Sequence, residues 1–134
     1  MAAPEAGLLD TSVLIAPESG RRLNAELLPL RSFVSVVTLA ELRAGVHAAR
    51  TTEIRARRLA TLESVAGLSP LVIDSAAASH WARLRFRVHE AGRKVNVNDL
   101  WIASVALANS LPVVTQDADY DALLDLGGPA VVRV

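Results

Sequence analysis

Short runs of consecutive apolar residues alternate along this chain with longer stretches in which apolar positions recur every three or four residues. The first kind reads as buried strand, the second as helix packed along one face. The strand-like runs are 7–10 (GLLD), 32–35 (SFVS), 71–73 (LVI), 112–115 (PVVT) and 130–134 (AVVRV). Between the first two, residues 12–16 begin a turn or helix that Pro17 interrupts, and 18–29 reads as a helix stopped at Pro29. Two helices come next, over 36–49 and 51–66, the second opened at Thr51 and Glu53 and ended by Gly67 and Pro70. Asp74 or Ser75 can cap a helix that runs to Ala91, with Trp81, Leu84, Val88 and Ala91 on one face and Gly92 beyond its end. Asn98 is the predicted N-cap of a helix over 99–110, and 119–125 reads as a short helix.

The strands are apolar without alternation, so both of their faces are buried. That pattern predicts an α/β fold: a mainly parallel central sheet of four to five strands in a three-layer arrangement, with helices on both faces. No repeat, linker or low-complexity tract divides the 134 residues, so one domain over 1–134 is expected. Hydrophobic residues make up 51% of the chain but aromatics only 4%, so alanine, leucine and valine must carry the core.

Fourteen basic and 14 acidic residues cancel, which removes the simple electrostatic argument for a nucleic-acid partner. Lys94 is the single lysine. Arginine suits bidentate contacts to phosphate or carboxylate, but a GC-rich genome produces the same bias. The absence of cysteine excludes a disulfide framework, a zinc–thiolate site and a cysteine nucleophile, and fits a reducing cytoplasm. MAAPEAG lacks the charged and apolar regions of a signal peptide, and no stretch approaches 18 apolar residues. A soluble, cytoplasmic protein with no membrane partner is expected.

Asp10, Glu41, Asp99 and Asp117 each interrupt an apolar stretch, in GLLDTSVLIA, VVTLAELRAG, VNVNDLWIASVAL and LPVVTQDADY. A buried carboxylate costs several kcal/mol unless it is paired, protonated or bound to a cation. Each acid alone has an ordinary structural use. Asp10 can form an Asx-type turn or cap residues 11–16, Asp99 suits the positive end of a helix, and Asp117 sits in an acidic turn with Asp119, Asp121 and Asp125. Glu41 has the weakest such account. Its neighbours one turn away are Val37, Thr38, Ala44 and Gly45, none of them basic.

The four together point to one shared solution, a divalent cation at the carboxyl rim of the sheet, where ligands of open α/β folds bind. Hard oxygen ligands select magnesium (Mg2+) or manganese (Mn2+) over zinc. Four carboxylates can hold two such ions about 3.5–4 Å apart, an arrangement that serves phosphodiester hydrolysis. His47, His80 and His89 lie at no metal-ligand spacing, and Trp81 and Trp101 read as core. Neither a phosphate-binding G-x-x-x-x-G-K-[ST] loop nor a G-x-S-x-G elbow occurs. Arg83, Arg87, Arg93 and Lys94 suit either a nucleic-acid backbone or a solvated helix flank. A haloacid-dehalogenase-type phosphatase wants Asp-x-Asp after the first strand, but Thr11 and Ser12 come after Asp10. A receiver domain wants paired acids there and a late lysine, and the lysine is absent.

The ordered set LLDTSVLIA, TLAELRAG, NDLWIAS and VVTQDADY, spread over nearly the whole chain, resembles the PIN-domain ribonucleases, specifically the VapC toxins of toxin–antitoxin systems. The resemblance implies a PIN-like fold and a Mg2+- or Mn2+-dependent endoribonuclease that cuts RNA (tRNA, rRNA or mRNA) and stops translation. It makes Asp10, Glu41, Asp99 and Asp117 the metal-binding, catalytic quartet. Thr11 and Thr115 become supporting hydroxyls, Asn98 a cap beside the third acid, and Asp119 an additional acid. It also implies a homodimer and a cognate VapB-type antitoxin, assembled as a toxin–antitoxin hetero-oligomer. Helix 51–66 and the apolar parts of 18–29 are candidate groove walls for that partner. A PIN nuclease that matures RNA without a toxin role, and a catalytically silent PIN scaffold binding a protein, remain the alternatives.

Overall fold

The computed structural model describes residues 2–134. In chain order the elements are β1 (Ala6–Leu9), α1 (Thr11–Ser19), β2 (Arg31–Phe33), α2 (Val36–Ala48), α3 (Thr52–Val65), α4 (Ser75–Glu90), α5 (Val97–Ala108), β3 (Val113–Thr115) and β4 (Val131–Arg133). Two 3-10 segments, Ala25–Leu27 and Asp119–Leu126, complete them. The strands form one parallel sheet in the order β2-β1-β3-β4, the α/β arrangement expected from the non-alternating runs.

Successive strand residues point to opposite faces, and the register turns this into two cores. Leu8 lies opposite Val113 and Leu9 opposite Val114. Leu8 and Val113 join Leu84 and Val88 of α4, Leu100, Ile102 and Val105 of α5, and Tyr120 and Leu123. Leu9 and Val114 join Val13 of α1, Leu42 of α2 and Val65 of α3 on the other face. Helix α2 stands at the sheet edge and serves both cores, through Val37 and Leu42 respectively. α5 is the most buried helix. Ala103 and Ala106 let it approach closely, and Ser104 satisfies its hydroxyl on Leu100 O at 2.7 Å. Burying each of Leu8, Leu84 and Ile102 stabilises the fold by about 1.5–3 kcal/mol.

Several local expectations need correction. α1 runs through Pro17 to Ser19, because a proline near a helix end costs few hydrogen bonds; Gly20, at φ 70°, then stops it. The helix expected over 18–29 is absent. Leu23 and Leu28 pack into the second core from an irregular segment containing only one 3-10 turn. Residues 71–73 form no strand either. Leu71 alone bridges Ser35, and Val72 and Ile73 emerge exposed because β2 has already turned into α2. Asn96, not Asn98, caps α5; its Oδ1 accepts the amides of Asn98 at 2.9 Å and Asp99 at 3.4 Å. Residues 119–126 coil as 3-10 rather than α. Among the described residues, no helix is long and apolar enough to cross a membrane.

Candidate metal centre

β1 and β3 are the inner strands, and the chain departs from them in opposite directions across the sheet. The crevice at their carboxyl ends is therefore the topological switch point. Asp10 comes directly after β1, and Thr115 ends β3 beside it.

Asp10 is 4% exposed and occupies the N-cap position of α1, yet its carboxylate caps no amide. It is turned inward to three hydroxyls. Oδ2 accepts from Ser12 Oγ at 2.9 Å and from Thr115 Oγ1 at 3.0 Å, while Oδ1 accepts from the Tyr120 hydroxyl at 3.0 Å. A carboxylate has about four acceptor positions, so about one stays open. All three donors are neutral; they orient the charge without cancelling it. Ser12 also accepts the Gln116 amide at 3.1 Å, tying the loop after β3 to the start of α1.

Asp99 sits in the first turn of α5, half-buried, with its Oδ1 3.3 Å from the same Tyr120 hydroxyl. Burial first, then the negative charges of Asp10 and Asp119, push its pKa up to about 6; the Tyr120 hydrogen bond partly opposes this. Burial between two carboxylates also raises the Tyr120 phenol well above its ordinary value, so the phenol stays a proton donor. Glu41 comes from the second turn of α2, where the Ser35 cap accepting the Thr38 amide at 3.2 Å fixes the helix start. Its Oε1 accepts from Thr11 Oγ1 at 2.6 Å, and Thr11 Oγ1 also lies 3.2 Å from Thr38 Oγ1.

Asp117 is placed differently. Its amide donates to Thr115 Oγ1 at 3.0 Å, but its carboxylate turns outward to Arg21 at 3.5 Å. Asp119, two residues on, is the acid whose charge reaches Asp99. Asp119 is exposed and Asp117 partly buried, so the turn after β3 brings neither carboxylate into hydrogen-bonding contact with Asp10 or Asp99. Asn98 lies exposed on α5 and donates its amide to Asn96. Ser12 and Tyr120 join the site without being among the residues expected from the sequence. The one usable signal for them is that the only tyrosine of an aromatic-poor chain stands inside the acid-rich run DADYD.

Among the described residues the ion pairs are Arg21–Asp117, Arg31–Glu5, Arg93–Asp125 and Arg133–Asp121, and none reaches Asp10, Glu41, Asp99 or Asp119. Nor, among the described residues, do three acids or histidines converge closely enough to ligate one ion as they stand. His47 and His89 are exposed, and His80 Nδ1 lies 2.8 Å from Arg83 Nη2. The arrangement is an acidic crevice with hydrogen-bonded carboxylate oxygens and, among the described residues, no ion-paired counter-charge. Its donor set fits a hard divalent cation that keeps most of its water.

The PIN domain profile matches residues 7–124. The chain is 58% identical to ribonuclease VapC5 of Mycobacterium tuberculosis over 131 residues, which are 98% of this chain and 97% of that one. To ribonuclease VapC4 of the same organism it is 42% identical over 119 residues, or 89% and 92% of the two chains. Among solved structures it superposes on VapBC-5, a member of the VapBC family of toxin–antitoxin systems from Mycobacterium tuberculosis. That match has a TM-score of 0.90 and 55% identity, covering 98% of this chain and all of the other. Fold, profile and sequence identity agree: the chain belongs to the PIN-domain family, among the VapC ribonucleases.

Proposed function

We propose that this chain is the toxin of a VapBC-type pair, a single-domain endoribonuclease that hydrolyses RNA phosphodiester bonds in the cytoplasm and thereby inhibits translation. Mg2+, with Mn2+ as substitute, is its cofactor. The observation that carries this reading is the approach of Asp10 and Asp99 to one buried hydroxyl with no basic group beside either. Mg2+ takes only one or two protein carboxylates and completes its shell with water and substrate phosphate, so this pair suffices for one ion.

When bound, the ion supplies Lewis-acid stabilisation to the reacting phosphate and acidifies water next to it. The chain's own residues do the rest. Ser12, Thr115 and Tyr120 fix Asp10 so that one acceptor position faces the crevice. Asp99 provides the second ligand from α5. Glu41, oriented by Thr11, and Asp119 flank the pair and can accept hydrogen bonds from water. Asp117, paired with Arg21, serves as an outer acid.

Beside Glu41 and Thr11, a cleft of about 540 Å³ runs between α1, α2 and α3, lined by Ile15, Leu42, Ile54, Arg57 and Arg58. Its apolar floor, with Arg57 and Arg58 on the α3 side and Glu18 and Glu41 on the other, suits a segment of a VapB-type antitoxin. The partly exposed apolar patch of Val36, Ile73 and Trp101 suits a second copy of the chain in a homodimer.

The test is cleavage of RNA by the purified protein with Mg2+ or Mn2+. EDTA and the variants Asp10→Ala and Asp99→Ala should each abolish cutting. Induced expression should arrest growth, and co-expression of a small adjacent antitoxin gene should relieve the arrest. Cleavage that persists in EDTA, or alanine variants as active as the parent, would overturn the site.

A further inference from the structure

Tyr120 is the chain's only tyrosine and is 1% exposed. Its ring belongs to the core of Leu84, Val88, Ile102 and Leu123, and phenylalanine would fill that space equally. The hydroxyl is the part the core does not need. Burying an unpartnered phenol oxygen is unfavourable, and among the described residues this one finds its partners in Asp10 Oδ1 at 3.0 Å and Asp99 Oδ1 at 3.3 Å. A phenol has one proton, so it serves the two carboxylates alternately and sits between them as a neutral spacer.

The segment presenting it is firmly held. Arg93 makes a two-point contact with Asp125 at 2.6 and 2.9 Å and donates to Ala122 O at 2.8 Å, while Arg87 donates to Leu126 O at 2.8 Å. On the opposite side of Asp10, Ser12 and Thr115 occupy Oδ2. Each carboxylate therefore keeps its remaining acceptor positions for something else.

We propose that Tyr120 is a positioning residue. Its buried hydroxyl, set between Asp10 and Asp99, holds the two carboxylates at the spacing and orientation that let them share one divalent cation. This rests on the metal-dependent reading above and assigns the tyrosine no proton transfer. Groups that orient metal ligands through hydrogen bonds typically contribute about 10- to 100-fold to metal affinity.

The experiment compares wild type, Tyr120→Phe and Asp99→Asn by titration with Mn2+, following free Mn2+ by electron paramagnetic resonance, with unfolding midpoints measured in EDTA. Tyr120→Phe should weaken Mn2+ binding about tenfold or more while the EDTA midpoint stays near that of wild type. A second readout needs no substitution. Biosynthetic 3-fluorotyrosine labels Tyr120 alone, and its single 19F resonance should shift on Mg2+ addition and saturate at the concentration that saturates binding. If Tyr120→Phe binds Mn2+ as wild type does, or the 19F resonance stays fixed as Mg2+ saturates, the positioning role is wrong and the metal site stands. If wild type binds no Mn2+, both readings fall together.

Discussion

Asp99 shows most directly how the site is assembled against the interest of the fold. Its pKa is raised to about 6 from an ordinary value near 4, chiefly by burial and then by Asp10 and Asp119. The folded state therefore holds the proton more tightly than the unfolded chain. The stabilisation this gives is complete below about pH 4 and is lost as pH rises through about 6. At neutral pH without metal, Asp99 is a charged liability. A shift of this size in a fully buried group corresponds to about 3 kcal/mol, and the partial exposure of Asp99 reduces that to about 1–2 kcal/mol. Asp99→Asn should accordingly be more stable than wild type by about that amount at pH 7 in EDTA, and equally stable near pH 3.5; urea unfolding at the two pH values checks this. Because a metal ligand must be deprotonated, the apparent affinity for Mn2+ should weaken as pH falls through about 6, by up to about tenfold per pH unit, measurable by Mn2+ titration at several pH values. The turn after β3 gives another residue-level distinction: Asp119→Ala should weaken Mn2+ binding more than Asp117→Ala, because of these two only Asp119 adds to the negative charge felt by Asp99, while Asp117 faces Arg21. The individual acids were legible in the sequence because each breaks an apolar run. That the Asp117 carboxylate pairs with Arg21 was not, since that contact joins distant parts of the chain. Ser12 and Tyr120 escaped notice because hydroxyls two and 110 positions from Asp10 leave no periodic trace.

Elements with strong local signals form where the pattern puts them. α2, α3 and α4 start at Ser35, Thr51 and Asp74, whose side chains accept the amides of Thr38, Ile54 and Ala77. The expectations that failed over 18–29 and 71–73 lie where tertiary packing overrides spacing. The leucines of 23–28 recur at helical intervals but are placed by the second core, and Val72 and Ile73 are apolar without a neighbouring strand. The arginines of α4 have a clear task. Arg83 and Arg87 reach the carbonyls of Gly127 and Leu126, and Arg93 holds Asp125, so these side chains clamp the 119–126 segment that carries Tyr120. These solvent-exposed contacts give Arg83, Arg87 and Arg93 a role in the fold. The double variant Arg87→Ala/Arg93→Ala should speed amide hydrogen exchange within 119–126 while leaving the amides of α5 protected.

At the scale of the molecule, the parallel sheet buries both faces and leaves one functional rim. The switch between β1 and β3 brings residues 10, 12, 115 and 120 into hydrogen-bonding contact, and the neighbouring helices α5 and α2 carry Asp99 and Glu41. Sequence periodicity suffices for this plan because strand count and direction are set by which faces are apolar. It cannot give the inter-residue distances on which ligation depends. Core and site should separate energetically: Ile102→Ala, at a fully buried position of α5, should cost about 2–5 kcal/mol in urea unfolding, whereas Asp10→Ala should act on catalysis. The most direct test of the central claim is therefore paired measurement of Mg2+-dependent RNA cleavage and Mn2+ binding by wild type and Asp10→Ala, in preparations with matched folding. Losing the ion's several kcal/mol of charge stabilisation should lower cleavage by on the order of a thousandfold, with Mn2+ binding lost in parallel. Undiminished cleavage by Asp10→Ala, or wild-type cleavage unaffected by EDTA, would contradict a metal-dependent nuclease centred on Asp10 and Asp99.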